Sequence, residues 1–305
     1  MPHATADSAP AAHRCGTVAL VGRPNVGKST LLNALIGWRL SIVGPRPQTT
    51  RHRILGVCTR PAGQMLFLDT PGLHRGRDHA LNRLLNRAAR GAIVEADVVV
   101  QVIEAGRWLP EDDDVYAALA SARRPRLLAI NKVDTQKDKR QLLPFLAAIE
   151  AAHPFDAVYL VSARRRDGLG ELERGILEHL PEAPAAFPED AITDRSERFL
   201  AGERIREQVM RQLAQELPYA ATVEIESFRE QRGAVRIEAT IWVERESQKG
   251  IVIGAGGARL KAIGTAARLA IERLFERRVH LRLHVRVCEN WSEDETALRR
   301  FGYAD

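Results

Sequence analysis

Apolar residues in the first part of the chain fall in short runs, separated by longer stretches in which they recur at helical spacing. The runs Thr17–Val21, Met65–Leu68, Asp97–Ile103, Arg126–Ile130 and Ala157–Val161 read as strands and the stretches between them as amphipathic helices. Strands alternating with helices predict an α/β fold with a doubly wound, mostly parallel sheet. Residues Pro181–Asp194 carry three prolines and several acids without periodicity and read as a linker. The pattern then changes. A helical run from Arg195 to Leu217 carries Phe199, Ile205, Val209 and Leu213, and two strands follow, the second marked by Val235, Ile237, Ala239, Ile241 and Val243. After Gly254-Ala255-Gly256-Gly257 comes a helix through Phe275, and then a strand in which Val279, Leu281, Leu283, Val285 and Val287 alternate with His280, Arg282, His284 and Arg286. With a short helix between Gln248 and Ile253 the order is α-β-β-α-α-β, an α+β unit without internal repeats.

Composition sharpens this outline. The 305 residues suffice for two domains and the 45% hydrophobic content is that of a soluble globular protein. Met1–Arg14 is rich in Ala, Pro and His without an apolar core, which predicts a disordered leader rather than a signal peptide, and no membrane span is expected. Three dispersed cysteines suit a reducing cytoplasm and exclude a disulfide framework or a zinc motif. The net charge of +6 is localised: Arg259–Arg286 holds eight Lys/Arg against two Glu, leaving the two signs balanced elsewhere. Such a patch is either a phosphate-binding surface or a solvated face.

The first chemical signal is Gly22-Arg23-Pro24-Asn25-Val26-Gly27-Lys28-Ser29, of the form GxxxxGK[ST], between a strand and the helical run from Thr30 to Ile36. Its glycines let backbone N–H groups curl around phosphates, Lys28 adds a point charge and Ser29 offers a hydroxyl to Mg²⁺. Asp69-Thr70-Pro71-Gly72 follows a strand, where the carboxylate reaches Mg²⁺ through water and the Gly72 N–H meets a γ-phosphate. Asn131-Lys132-Val133-Asp134 ends another strand. There a carboxylate at Asp134 accepts the ring N–H and 2-amino group of guanine, a donor pair adenine lacks. Ser162-Ala163-Arg164 follows the next strand and brings the Ala163 N–H toward guanine O6.

In this order the motifs resemble translation-factor-related GTPases, and Pro47-Gln48-Thr49-Thr50-Arg51-His52-Arg53 narrows the likeness to the Era family of bacterial ribosome-assembly GTPases, within the TrmE–Era–EngA-like group. The resemblance runs from about Gly16 to near the end of the chain. It implies a leader (1–15), a P-loop GTPase domain (16–180), a linker (181–194) and a type II KH domain with a C-terminal tail (195–305). It places Gln48–His52 in the first switch, with Thr50 as the second side-chain Mg²⁺ ligand beside Ser29 and Asp69, and Thr49 as the competitor for that role. Catalysis then rests on Lys28, Thr50 and Gly72. Leu73 stands where Ras-type GTPases place a water-orienting glutamine, so slow intrinsic hydrolysis is expected. Asn25 resembles the asparagine that helps hold K⁺ in related GTPases, although asparagine also suits the turn.

In the second domain the GXXG loop lets a nucleic-acid backbone approach closely, with helix N-termini facing its phosphates. Family members commonly read Gly-Lys-Gly-Gly here, whereas this chain has Ala255 in the lysine position, so one phosphate contact is expected to be missing. Lys249, Arg259 and Lys261 are the compensating cations. Ile251, Val252, Ile253, Leu260 and Ile263 are candidates for an apolar floor beneath unstacked bases, some of them belonging to the core. The resemblance implies a monomer that binds GTP or GDP, the 3′ end of 16S ribosomal RNA and the 30S subunit, with no DNA ligand, working in the cytoplasm with peripheral contact to the inner membrane. Two other readings stand: a GTPase switch whose C-terminal domain binds a protein, and an ATP-dependent enzyme, against which Asp134 argues.

Overall fold

A computed structural model describes residues 13–44, 48–72, 79–120, 123–213, 217, 220–231 and 233–303. The described chain forms two compact units. The first takes the residues up to Arg39 with Ile54–Thr70 and Arg90–Asp194. The second takes Leu40–Arg53, Pro71–Ala89 and Arg195–Asp305. Two segments that precede the linker in sequence thus belong to the C-terminal unit.

The first unit is built on strands β1 (Arg14–Val21), β2 (Ile54–Arg60), β3 (Gly63–Asp69), β4 (Val98–Glu104), β5 (Arg126–Asn131) and β6 (Ala157–Leu160). They stand in the order β2-β3-β1-β4-β5-β6, with β2 antiparallel to β3 and the other pairs parallel. Its helices are α1 (Lys28–Ile36), α3 (Pro110–Leu119), α4 (Leu142–Ala152) and α5 (Leu169–His179); α2 (Ala80–Glu95) crosses the boundary between the units. Every residue of β3 is buried, as a strand covered on both faces requires. β1 is flanked by β3 on one side and β4 on the other, and a strand order that reverses there opens a crevice at its carboxyl end.

Three features differ from expectation. Arg14 and Cys15, assigned to the leader, already pair in β1 with Gly63 and Gln64; residues 1–12 lie outside the described ones. Strand β2 carries no apolar alternation, since Gly56, Cys58 and Thr59 interrupt it, and it forms because the chain doubles back on β3. The linker is fastened along the sheet. Ile192 accepts the Val57 N–H, Thr193 donates to the Leu55 carbonyl, and Phe187 packs with Cys15, Val57 and Leu66. Gln64, wholly buried, holds it with three bonds of 2.9 Å: its carboxamide oxygen accepts from the Ala186 and Phe187 N–H groups and its amide donates to the Phe187 carbonyl.

The second unit contains α6 (Glu197–Gln212), β7 (Thr222–Gln231), β8 (Ala234–Val243), α7 (Glu246–Ile253), α8 (Ala258–Phe275), β9 (Arg278–Val287) and α9 (Glu295–Arg300). Its sheet runs β7-β8-β9, antiparallel then parallel. Val235, Ile237, Ala239, Ile241 and Val243 of β8 meet Ala201, Ile205 and Val209 of α6 and Ile263, Ala267 and Ile271 of α8, all fully or almost fully buried. Ser196 caps α6 by accepting the Phe199 N–H. Among the described residues no helix is long and apolar enough to cross a membrane.

Substituting Gln64→Ala removes three hydrogen bonds that hold the linker at Ala186 and Phe187, each worth about 0.5–1.5 kcal/mol. Limited proteolysis should then cleave within residues 181–194 at least tenfold faster than in the wild type, with the circular dichroism spectrum unchanged.

Candidate nucleotide and nucleic-acid sites

The phosphate loop leaves β1 at Gly22, whose φ of 154° and lack of a side chain are both required, since a Cβ there would stand 2.4 Å from the Val102 carbonyl oxygen. Gly27 has φ 100°, and a Cβ there would meet the Asn131 amide at 2.4 Å. Between them Asn25 adopts φ 65°, a left-handed conformation that asparagine tolerates, which accounts for this residue by its backbone alone. Lys28 is buried and its Nζ donates to the carbonyls of Gly22 (2.9 Å) and Arg23 (3.0 Å). Burial pushes its ammonium down to about 8 from the ordinary 10.5, with Asp69 opposing the shift and Arg23 adding to it. Ser29 and Thr30 follow in the first turn of α1.

Asp69 ends β3, fully buried, and Thr70 donates its hydroxyl to the Leu20 carbonyl at 2.9 Å, locking this turn to β1. Pro71 and Gly72 are described as part of the second unit, as is Thr50, 9% exposed; Pro47 and Leu73 lie outside the described residues.

The predicted base-reading residues converge. Asn131 donates to the Val26 carbonyl (2.9 Å) and accepts from the N–H groups of Lys132 (2.8 Å) and Ala163 (3.0 Å). Asp134 accepts the Ser162 hydroxyl at 2.6 Å, and Ser162 in turn accepts the Arg165 N–H. Arg164 is exposed. The Ala163 N–H that the sequence assigns to guanine O6 is therefore engaged by Asn131.

Two acidic residues escaped the sequence reading. Glu104, at the end of β4, accepts from Lys132 Nζ (3.1 Å) and pairs with Arg23 (3.5 Å). Asp112, wholly buried, accepts Arg23 Nε at 3.1 Å and caps α3 through the Leu109 N–H. The Arg23 side chain is thereby drawn to these carboxylates, and its contribution to the loop is its backbone. Neither acid belongs to a spaced motif; the only signal is the position of Glu104 at a strand terminus.

In the second unit Gly254, Gly256 and Gly257 have φ of 73°, 55° and 80°, so three loop positions need glycine, and Ala255 occupies the one without positive φ. Gly257 precedes α8 without a side-chain cap. Pairing thins the basic segment. Arg268 binds Glu272, Arg277 binds Glu197 and Glu230, Arg282 pairs with Glu238 and Arg286 with Glu226. Arg259, Lys261, Arg273 and Arg278 have no carboxylate partner among the described residues. Arg259 and Lys261 flank the loop, whereas Arg273 is about 18 Å further along α8. Arg259 donates to the Ile251 carbonyl at 2.8 Å, and Lys249 is tied to Glu246 at 3.3 Å. His280, Arg282, His284 and Arg286 form the exposed face of the edge strand β9.

Of the candidate apolar floor, Val252 and Ile263 are wholly buried core; Ile251 is 47% exposed and Ile253 and Leu260 are half-buried. The candidate floor as read from the sequence left out Leu283, Val285 and Val287 of β9, which are half-buried and packed against the core of the unit. Their alternation resembles that of any core strand, so the pattern alone did not distinguish them.

Known proteins resemble this chain along almost its whole length. A family model described as a 50S ribosome-binding GTPase matches residues 17–132, and a KH-domain model matches residues 216–292. The chain is 58% identical to the GTPase Era of Stenotrophomonas maltophilia strain R551-3 over 95% of this chain and 98% of that one. It is 59% identical to that of Xanthomonas oryzae pv. oryzae strain MAFF 311018 over 95% and 97%. Among solved structures, an Aquifex aeolicus Era variant bound to GDP·AlF4⁻ matches with a TM-score of 0.93 at 38% identity, covering 96% of this chain and all of that one. A complex of Era with MgGDPNP and nucleotides 1506–1542 of 16S ribosomal RNA matches equally.

Two measurements test the site. The charged Lys28 is a standing cost to the fold, relieved as pH rises from about 8 to 10.5, and an anionic phosphate restores its proton. Nucleoside triphosphate binding near pH 9 should therefore take up about 0.9 proton, read from the buffer dependence of the calorimetric enthalpy; an enthalpy independent of buffer at that pH contradicts this. Substituting Asp134→Asn should weaken GTP at least a hundredfold while improving the xanthine nucleotide, measured by competition against a fluorescent nucleotide.

Proposed function

The chain belongs to the Era family of GTPases, and from that premise we propose a GTP-switched RNA-binding enzyme that takes the 3′ end of 16S ribosomal RNA on its KH domain and assists maturation of the 30S subunit. GTP and GDP occupy the pocket formed by the phosphate loop, Asn131-Lys132, Asp134 and Ser162-Ala163-Arg164. The donor set suits magnesium: the Ser29 hydroxyl and the buried Asp69 carboxylate are hard oxygens of the kind that hold this ion together with phosphates and water. Thr50 is proposed as its second side-chain ligand, with Asp69 reaching the ion through water. When bound, the ion neutralises charge on the phosphates; Lys28 and the Gly72 N–H act on the same charge from the protein side. Asn25 as a potassium ligand rests on family resemblance alone.

The observation that carries the RNA reading is the distribution of unpaired charge. Carboxylates neutralise Arg268, Arg277, Arg282 and Arg286, whereas Arg259 and Lys261, beside a glycine loop whose backbone stands open, are left to external anions. The half-buried Ile253, Leu260, Leu283 and Val285 offer a surface for unstacked bases. The proposed workplace is the cytoplasm, on the maturing subunit; the peripheral membrane contact follows from the resemblance alone.

Fluorescence anisotropy with a single-stranded oligonucleotide from the 3′ end of 16S RNA, a scrambled control and either GDP or a GTP analogue tests the proposal. GTP-favoured binding of the true sequence supports it. Equal, salt-sensitive binding of both oligonucleotides reduces the patch to generic electrostatics and raises the protein-partner reading. Lys261→Gln should lower the slope of log K against log salt by about one, and Ala255→Lys should raise it by about one.

A further inference from the structure

Helix α6 is buried on almost every side although its sequence is strongly charged: Glu203, Arg204, Arg206 and Glu207 are each 5% exposed or less. Its apolar stripe, Ala201, Ile205 and Val209, packs on the sheet of its own unit. Its charged residues face residues 40–53, which contain the first switch. Arg204 donates to the Leu40 carbonyl at 3.3 Å, Arg206 to the Thr49 carbonyl at 2.6 Å, and Arg195, just ahead of the helix, to the Arg53 carbonyl. Three arginines thus hold the start, middle and end of one segment by its main chain.

The middle contact is the most constrained. Arg206 forms a two-pronged pair with Glu203 at 2.7 Å for both bonds, its remaining Nη1 donates to Met210 Sδ, and the guanidinium is 2% exposed. Burial alone raises the Glu203 carboxyl, but Arg206, with help from His52, outweighs this and holds it well below the carboxylate range. The His52 ring is itself stacked on Tyr303 at 4.7 Å and meets the edge of Phe199 at 5.1 Å. The carbonyl that Arg206 grips belongs to the peptide unit whose N–H is that of Thr50, and a peptide is planar. Fixing the Thr49 oxygen therefore fixes the plane from which the Thr50 side chain departs.

We infer that Arg206, oriented by Glu203, is a positioning residue for GTP hydrolysis: it sets the peptide that carries the Thr50 hydroxyl. This rests on the reading of Thr50 as a metal ligand. It assigns a role in the reaction to a residue more than 150 positions from the switch and outside every nucleotide-binding motif. A ligand held in advance spares the ordering cost when GTP arrives, and the first switch contributes to GTP rather than GDP, so the loss should fall on turnover and on GTP-analogue binding.

The test uses the full-length protein with Arg206→Met, Arg206→Lys, Glu203→Gln and, in parallel, Thr50→Ala. Single-turnover hydrolysis, affinities for GDP and for GDPNP at several magnesium concentrations, and amide exchange of residues 48–52 without nucleotide are measured. Arg206→Met should lower the hydrolysis rate at least tenfold, raise the magnesium needed for GDPNP, and speed exchange of residues 48–52 tenfold, with GDP affinity within twofold. Arg206→Lys, which keeps one donor, should recover part of each effect. If Arg206→Met fails to fold, Glu203→Gln carries the test, with the same signs and smaller size. Unchanged or faster hydrolysis, or an equal loss of GDP affinity, overturns the inference. A Thr50→Ala protein that hydrolyses GTP normally overturns the Thr50 reading on which it rests; an impaired Thr50→Ala protein beside a normal Arg206→Met protein overturns the positioning role alone.

Discussion

Three loops at the carboxyl end of the larger sheet meet on one buried carboxamide. Asn131 spends one amide hydrogen on the Val26 carbonyl of the phosphate loop and its oxygen on the N–H groups of Lys132 and Ala163. A carboxamide offers two donors and one oxygen with two lone pairs. Here both lone pairs and one donor are committed, each to a different strand-end loop. Aspartate at this position lacks the donor, and glutamine is longer by a methylene. Gly27 completes the arrangement, because a Cβ there would occupy the place of the Asn131 amide. One side chain thus ties the loops after β1, β5 and β6 together, and the Lys132–Glu104–Arg23 chain of charges links the first two of them a second time.

Buried charge is handled in opposite ways in the two units. Lys28 is kept away from water with two neutral carbonyls as its hydrogen-bond partners, so that burial is the largest influence on its charge and lowers its pKa. In α6 the buried charges are already complete: Glu203 with Arg206, and Glu207 with both Arg204 and Arg211. Removing one partner of such a pair strands the other in a low-dielectric interior. The first arrangement awaits a ligand. The second holds a segment of backbone.

This contrast explains what was legible in the sequence. Gly22–Ser29, Asp69–Gly72, Asn131–Asp134 and Ser162–Arg164 are short motifs recognisable by spacing, and each begins at or just after the end of a strand, as its place behind an apolar run predicts. Strand β2, the fastening of the linker by Gln64, and the carboxylates of Glu104 and Asp112 depend on partners brought together only by the tertiary fold. Their local sequences carry no periodicity that would reveal them. In the second unit the alternating face of β9 was readable, but its partners were not, because only the positions of Glu226 and Glu238 on the other strands show that Arg286 and Arg282 each lie within 4 Å of a carboxylate.

The division into a GTPase part and an RNA-binding part follows the linker in sequence but not in packing. Residues 40–53 give the carbonyls of Leu40, Thr49 and Arg53 to arginines that come after the linker, and Arg51, wholly buried, donates to the Ala221 carbonyl and lies 5.8 Å from the centre of the Trp291 ring. Ala80, Leu81 and Leu85 at the start of α2 pack with Trp242, Trp291, Leu298 and Phe301, and the Leu81 N–H is accepted by the Ser292 carbonyl. The chain on either side of β2 and β3 is therefore anchored in the unit that carries the KH fold. A cut at the linker would leave the arginines of α6 without their carbonyl acceptors and the indole of Trp291 without Arg51 and Leu81. Thr49 and Arg53, just ahead of β2, cannot move without breaking hydrogen bonds to Arg206 and Arg195 of the same unit.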